Sequence, residues 1–271
     1  MLKKIAHLLF FFIFIGSIIS CGEFNKISKS TDLKAKYAAA DDYFNKEDYY
    51  HAQILYEDLI VYYRGSEYAE KISYYNAMCY YKLGDYETAS YYFKLFYKTF
   101  PKSTYVSQAQ FLAAYCMYLE SPSYSLDQTN STTAINELQL FINTNPKSDS
   151  IAICNKLIDD LRAKLEIKEF EISKLYYKTE NYKAAIVAFE NTLKDYPNSV
   201  FKEECLYYIL KANYLYANFS ISSKKMDRFQ STVEAYNNFI SEYPQSKYVK
   251  EAESINKTAL NEINKINNSK S

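Results

Sequence analysis

Tryptophan is absent from this chain, histidine occurs twice and glycine four times in 271 residues. Two of the glycines, Gly16 and Gly22, lie in or beside the apolar N-terminal segment. So little glycine, with no long stretch of alternating apolar and polar residues, argues against sheet-rich and loop-rich folds. Beyond that segment the sole histidine is His51, and the cysteines form no C-x-x-C pair, which excludes the usual zinc ligand sets. No glycine-rich phosphate loop or nucleophile elbow occurs, and His51 has no evident serine or cysteine partner. Carboxylates such as Asp159, Asp160, Glu166, Glu169 and Glu171 fall on helical patterns with interspersed lysines, the pattern of solvated faces. No constellation meets the first tests for an active site, so no enzyme activity, no cofactor and no metal is expected. Excess basic charge is missing as well, with 32 Lys and Arg against 32 Asp and Glu. Nothing concentrates the basic footprint that nucleic acid requires.

What is abundant is tyrosine, at 31 residues. Tyrosine packs like an aromatic while keeping a hydroxyl for water, which suits helices whose surfaces must be apolar and yet wetted. The tyrosines belong to a repeat. With Ala52, Ala89, Ala134, Ala185 and Thr232 as position 0, the residues at +4 are Tyr56, Phe93, Leu138, Phe189 and Tyr236, and those at +7 are Leu59, Phe96, Phe141, Thr192 and Phe239. Pro101, Pro146, Pro197 and Pro244 fall at +12, where the first copy has Arg64; Ser66, Ser103, Ser148, Ser199 and Ser246 fall at +14. The zero positions are 37, 45, 51 and 47 residues apart, close to the periods of helix-pair solenoids with insertions.

Positions 0, +4 and +7 share one face of an α-helix, and proline at +12 ends that helix. Serine at +14 is then expected as the N-cap of the next helix. Between the helices of a pair stand short polar turns at Lys46-Glu47-Asp48, Gly84-Asp85 and Glu180-Asn181. One pair cannot bury its apolar face alone, so stability comes from stacking neighbours. Two segments interrupt the pattern: 120–131, read as an inserted loop, and 218–229, read as dividing the last pair. From Ile151 to Tyr177 the apolar spacing continues without a breaker, which predicts one long helix or two nearly collinear ones. Past Ala259 the chain becomes rich in Asn and Lys, and 261–271 is expected to be a disordered tail.

Residues 1–20 read MLKKIAHLLFFFIFIGSIIS, a basic start at Lys3 and Lys4 and then an apolar run from Ile5 to Ile19. That run is short of the roughly 20 residues a membrane-spanning helix needs, and it reads as a secretory signal over 1–20. Ile18-Ile19-Ser20-Cys21 resembles the bacterial lipobox, which makes Cys21 the lipid-modified first residue, anchored stably by more than one acyl chain. Residues 21–32 read as a lipidated, flexible polar tether. The other cysteines are Cys79, Cys116, Cys154 and Cys205. Cys79 and Cys116 are one 37-residue period apart, and equivalent positions on packed helices lie beyond disulfide reach, so they are read as buried small apolar side chains.

On the first helices of the pairs, Tyr37 and Phe44 match Tyr74 and Tyr81 one period later. Seven residues apart on one helix face, they would form an aromatic ladder along an N-terminal groove suited to extended peptides. The alternative is that all four pack between repeats, as aromatic stripes at helical spacing commonly do.

The lipobox, five such repeats, the stretched junction DDLRAKLEIKEFEISKLYYKTENYKAA and the closing motif LKDYPNS together resemble the BamD family of outer-membrane protein assembly lipoproteins. That resemblance implies an all-α fold, a right-handed superhelical solenoid of about five tetratricopeptide-like helix pairs. It would run over 33–260, with N-terminal repeats over about 33–150 and C-terminal repeats over about 151–260. It also implies a non-catalytic scaffold of the β-barrel assembly machinery, lipid-anchored to the outer membrane on its periplasmic face. The implied partners are the periplasmic domains of a BamA-type barrel subunit and unfolded outer-membrane protein precursors, with no nucleic acid. Gly22, rather than Asp, resembles lipoproteins sent on to the outer membrane. Two other classes stay open: a repeat lipoprotein coordinating the Tol-Pal system or division, and a SusD-type glycan-binding lipoprotein.

Overall fold

A computed structural model describes residues 23–268, all of whose regular structure is helical. The segment 1–20 expected to be a signal and Cys21, the expected site of lipid attachment, lie outside the described residues. The main helices are α1 (Leu33–Asn45), α2 (Tyr49–Tyr62), α3 (Ala69–Leu83), α4 (Tyr86–Thr99), α5 (Val106–Leu119) and α6 (Thr129–Thr144). They continue with α7 (Ile151–Lys178), α8 (Tyr182–Asp195), α9 (Lys202–Asn218), α10 (Ser222–Glu242) and α11 (Val249–Asn268). The fold is all-α, an array of helix pairs in tandem, as the repeat requires. Junction residues 151–178 form one helix of 28 residues.

The chain divides into two compact units. The first comprises the residues up to Pro122 together with Asp127–Leu161; the second comprises Ser123–Leu126 and the chain from Arg162 onward. The division falls within α7 rather than ahead of Ile151, because Cys154, Leu157, Ile158 and Leu161 close the core over Leu138 and Phe141 of the third pair. In the second unit Phe170, Phe189, Tyr207, Leu210 and Phe239 belong to one core.

The repeat positions are the core positions. Ala52, Ala89, Ala134, Ala185 and Thr232 are each fully buried, as are Tyr56, Phe93, Leu138 and Phe189 four residues on. Thr232 tolerates burial because its hydroxyl donates back to the Arg228 carbonyl at 3.0 Å, so no polar atom is stranded.

The turns within the pairs also repeat. The amides of Asp48, Asp85 and Asn181 donate to the carbonyls of Tyr43, Tyr80 and Tyr176 at 2.9, 3.1 and 3.0 Å, the closing bond of a Schellman-type helix end. The residue before each donor is left-handed, with φ of 60° at Glu47, 83° at Gly84 and 61° at Glu180. Asp48 and Asp85 then cap the following helices, accepting from His51 and Thr88 amides at 3.3 and 3.2 Å. Glycine fits the left-handed position without the Cβ penalty that glutamate carries there. Glu180→Gly is therefore expected to stabilise the protein by about 0.5–1 kcal/mol, read as a higher urea midpoint; a lower midpoint would contradict this turn geometry.

Serine at +14 does something other than the expected helix N-cap. In all five copies its hydroxyl accepts from the amide two residues on, at 3.0–3.2 Å, onto Tyr68, Tyr105, Ser150, Phe201 and Tyr248. A lead-in turn thus precedes each helix by about three residues, and the serine stabilises that turn.

Three expectations about segments change. Residues 23–28, placed in the tether, are helical, and Phe24 lies 4.1 Å from His51 and 5.8 Å from Tyr43 between ring centroids. The apolar pair Phe24 and Ile27, three apart, gives this short helix a face that joins the first core. Residues 222–229, read as an interruption, extend α10, because Phe229 is fully buried in the terminal core with Ala217 and Ala259. At the other end α11 continues through the expected tail to Asn268, since Ile263 and Ile266 pack against that same core.

Candidate interaction surface

The first helices of the pairs carry the aromatic residues expected to line a groove, and the structure gives each of them a partner within its own hairpin stack. Tyr74 stacks on Tyr105 at 4.4 Å and 18° and is only 3% exposed. Equivalent contacts recur: Tyr37 meets Tyr68 edge-on at 5.4 Å, Phe170 stacks on Phe201 at 4.3 Å, and Tyr207 stacks on Tyr248 at 4.0 Å. The second residue of each pair has its own partner. Phe44 meets Tyr49 at 5.3 Å, Tyr81 meets Tyr86 at 6.0 Å, Tyr177 meets Tyr182 at 5.8 Å, and Tyr214 meets Phe229 at 6.5 Å.

These contacts correct the ladder. Tyr74 is core, and Tyr37, Phe44 and Tyr81 are half-buried, with Tyr37 and Phe44 in one cluster and Tyr74 and Tyr81 in another; Phe44 also meets Tyr75 at 4.7 Å and Tyr81 meets Tyr115 at 6.5 Å, each on the first helix of the next copy. Offset and edge-on contacts of this kind stabilise aromatic pairs beyond their buried area. The sequence carried the signal: an aromatic at +16 in four copies (Tyr68, Tyr105, Phe201, Tyr248) and at −3 in four (Tyr49, Tyr86, Tyr182, Phe229).

Charged groups on these faces are mostly committed as well. In the first unit Asp41 accepts from the Tyr56 hydroxyl at 2.6 Å and from Lys71 at 2.7 Å, and Lys71 lies over the Tyr37 ring at 5.3 Å. Burial and the Asp41 carboxylate push the Tyr56 phenol well above its usual range. A matching set stands in the second unit, where Glu251 holds Lys211 at 2.9 Å and accepts from the Tyr207 hydroxyl. Those two bonds keep the Glu251 carboxyl below its ordinary value. Glu70 and Glu166 each reach forward along the chain to a +14 serine, accepting from Ser103 and Ser199 at 2.6 Å.

His51 sits in the first turn of α2, its Nδ1 2.7 Å from Asp48 Oδ2, held among aromatic rings. Among the described residues no three His, Cys, Asp or Glu side chains come together as metal ligands. Cys79, Cys116, Cys154 and Cys205 are free and buried, as expected of small apolar core residues. Burial pushes the thiols of Cys79, Cys116 and Cys205 up to about 12 and that of Cys154 to about 11, which removes the thiolate that reactivity needs. Depressions in the surface include an apolar one of about 320 Å³ lined by Ile60, Leu95, Phe96 and Phe100. Another, of about 370 Å³, lies in the second unit and is lined by α8, α9 and α10.

The helix pairs leave exposed faces and surface grooves over the cores they build. The family model YfiO, described as an outer membrane lipoprotein, matches residues 29–225. The chain belongs to the YfiO family of outer membrane lipoproteins. The match takes in four complete helix pairs, α1 to α8, together with α9, and it agrees at family level with the resemblance drawn from the lipobox, repeats and junction. Among solved structures, a TPR repeats protein from Bacteroides fragilis NCTC 9343 is similar over 84% of this chain and 99% of its own, with 15% identity and a TM-score of 0.38. No curated protein matches. YfiO-family membership places the chain among lipid-anchored proteins of the outer membrane.

Proposed function

We propose that this chain is a non-catalytic scaffold lipoprotein of the β-barrel assembly machinery. Anchored through acyl chains on Cys21, it faces the periplasm, binds the periplasmic domains of a BamA-type barrel subunit and receives unfolded outer-membrane protein precursors. The observation that carries this reading is the YfiO match across residues 29–225. Stacked hairpins support it physically, because their cores close within each unit and leave elongated helix faces for other chains. Depletion in the native organism is the test: barrel proteins in the outer membrane are expected to fall, and the tagged chain is expected to co-purify with a barrel subunit bearing periplasmic domains. Normal barrel levels would remove the assembly role and favour a Tol-Pal or division coordinator with the same anchor and helices.

A further inference from the structure

Only Gly22 separates Cys21 from the short helix at 23–28. A lipid on Cys21 would therefore join the chain at most about 7 Å from the Glu23 α-carbon, the span of two extended residues. From that helix to α1 the chain is hydrogen-bonded in succession. The Ser30 amide donates to the Ile27 carbonyl at 3.0 Å, and the Asp32 amide donates to the Ser30 hydroxyl oxygen at 3.1 Å. The Asp32 carboxylate then caps α1, accepting from the Ala35 amide at 3.0 Å. With Phe24 seated against His51 and Tyr43, residues 23–32 form a clamp on the first pair.

Around the clamp the surface is mixed in character. Tyr50 meets His51 at 5.4 Å and is 60% exposed, so the ring cluster that holds Phe24 ends in an exposed tyrosine. Tyr43, 5.3 Å from His51 between ring centroids, also lines a depression of about 620 Å³, whose lining includes Lys26, Ile27, Asp42 and Lys46. Asp42 and Lys46 pair at 2.6 Å with both side chains more than half exposed, and Lys26 is exposed as well. Both signs of charge beside apolar side chains match the phosphate and ammonium of a zwitterionic phospholipid headgroup, whereas a purely anionic one would set Asp42 against like charge. Tyrosine suits such a boundary, with its ring among the acyl esters and its hydroxyl in water.

We propose that this end of the first pair lies on the bilayer that anchors the chain, with Tyr50 in the headgroup layer and a zwitterionic phospholipid headgroup seated in the depression. The phosphate meets Lys26 and Lys46, and the ammonium meets Asp42. Such a contact is weak on its own, and an anchor about 7 Å away supplies the high effective lipid concentration that sustains it. The first pair is thereby held in one attitude to the membrane instead of swinging on a loose leash. The inference rests on the acylation of Cys21 given above and adds to it the face that meets the lipid.

The absence of tryptophan supplies the test. Tyr50→Trp is made in the full-length acylated chain and reconstituted into vesicles of phosphatidylethanolamine and phosphatidylcholine whose acyl chains carry bromine near the headgroup. The bromines are expected to remove most of its fluorescence. Tyr62→Trp is the control, at a site 62% exposed and about 18 Å further along α2 at about 1.5 Å per residue, and it is expected to keep most of its emission. Phe24→Ala added to Tyr50→Trp frees the clamp and is expected to restore emission while the chain still floats with the vesicles. Brominated phosphatidylglycerol alone is expected to quench Tyr50→Trp less; equal quenching there would overturn the zwitterionic seat. An unquenched Tyr50→Trp on floating vesicles, or equal quenching at positions 50 and 62, would overturn the docked face and leave the anchor standing. A chain that does not float would overturn the acylation and the docked face together.

Discussion

Tyr74→Ala is expected to destabilise the protein by about 3–5 kcal/mol, the range for removing a fully packed aromatic side chain. The ring is 3% exposed, stacks on Tyr105 at 4.4 Å and lies 5.4 Å from Phe96. Truncation would strand both neighbours beside a void that the stacked helices cannot close without shifting. Tyr37→Ala, at the equivalent but half-buried position in the first copy, should cost about half as much or less, because less apolar area leaves contact. Chemical denaturation of the chain made without its lipid anchor supplies the measurement. The peptide-ladder alternative makes the opposite forecast: Tyr74→Ala would spare the midpoint and weaken binding of unfolded precursors. A midpoint unchanged within error would return Tyr74 to the groove and remove the stacked pair from the core.

The same residues show why some features could be read from the chain and others could not. Positions 0, +4 and +7 are a statement about one helix, and the helical period alone determines that Ala89, Phe93 and Phe96 share a face. Burial of that face follows because stacked pairs have nowhere else to put it. The partner of Tyr74 is a different kind of fact. Tyr105 lies beyond the whole of the next helix, on the far side of a proline turn, and a period cannot say whether a stripe faces a neighbour or water. Repetition could have decided it, since the +16 aromatic recurs wherever the first helix has its ring and Ser150 stands where the third copy breaks the rule. Segment ends failed for another reason. Residues 23–28 and 261–268 are mostly polar, and their helices rest on two apolar side chains each, Phe24 with Ile27 and Ile263 with Ile266. Composition averages over such pairs, whereas packing depends on them.

The largest response is expected from alkali. Burial pushes the thiols of Cys79, Cys116 and Cys205 up to about 12 and that of Cys154 to about 11, while thiols in the unfolded chain ionise near pH 8.5–9. Folded values raised in this way stabilise the protein fully below about pH 9 and lose that contribution as pH climbs toward 12. Each of the four thiols gives up that contribution over this range, and their losses act in the same direction. Tyr56 and Tyr74, whose phenols burial raises in the same direction, steepen the fall. Helical circular dichroism of the soluble chain should therefore fall as pH rises above about 9 toward 12, and the four thiols should become reactive in step with it. Cys116→Ala separates this mechanism from general alkaline damage: it lowers stability at pH 7 by leaving a small void, yet it flattens the alkaline loss by removing one titrating group. Intact helix at pH 11.5 with shielded thiols would show that these cysteines do not gate the fold. For a protein exported to the envelope as proposed, the same burial keeps four unpaired thiols protonated and out of reach of oxidants, which explains how a chain bound for an oxidising compartment retains them without disulfides.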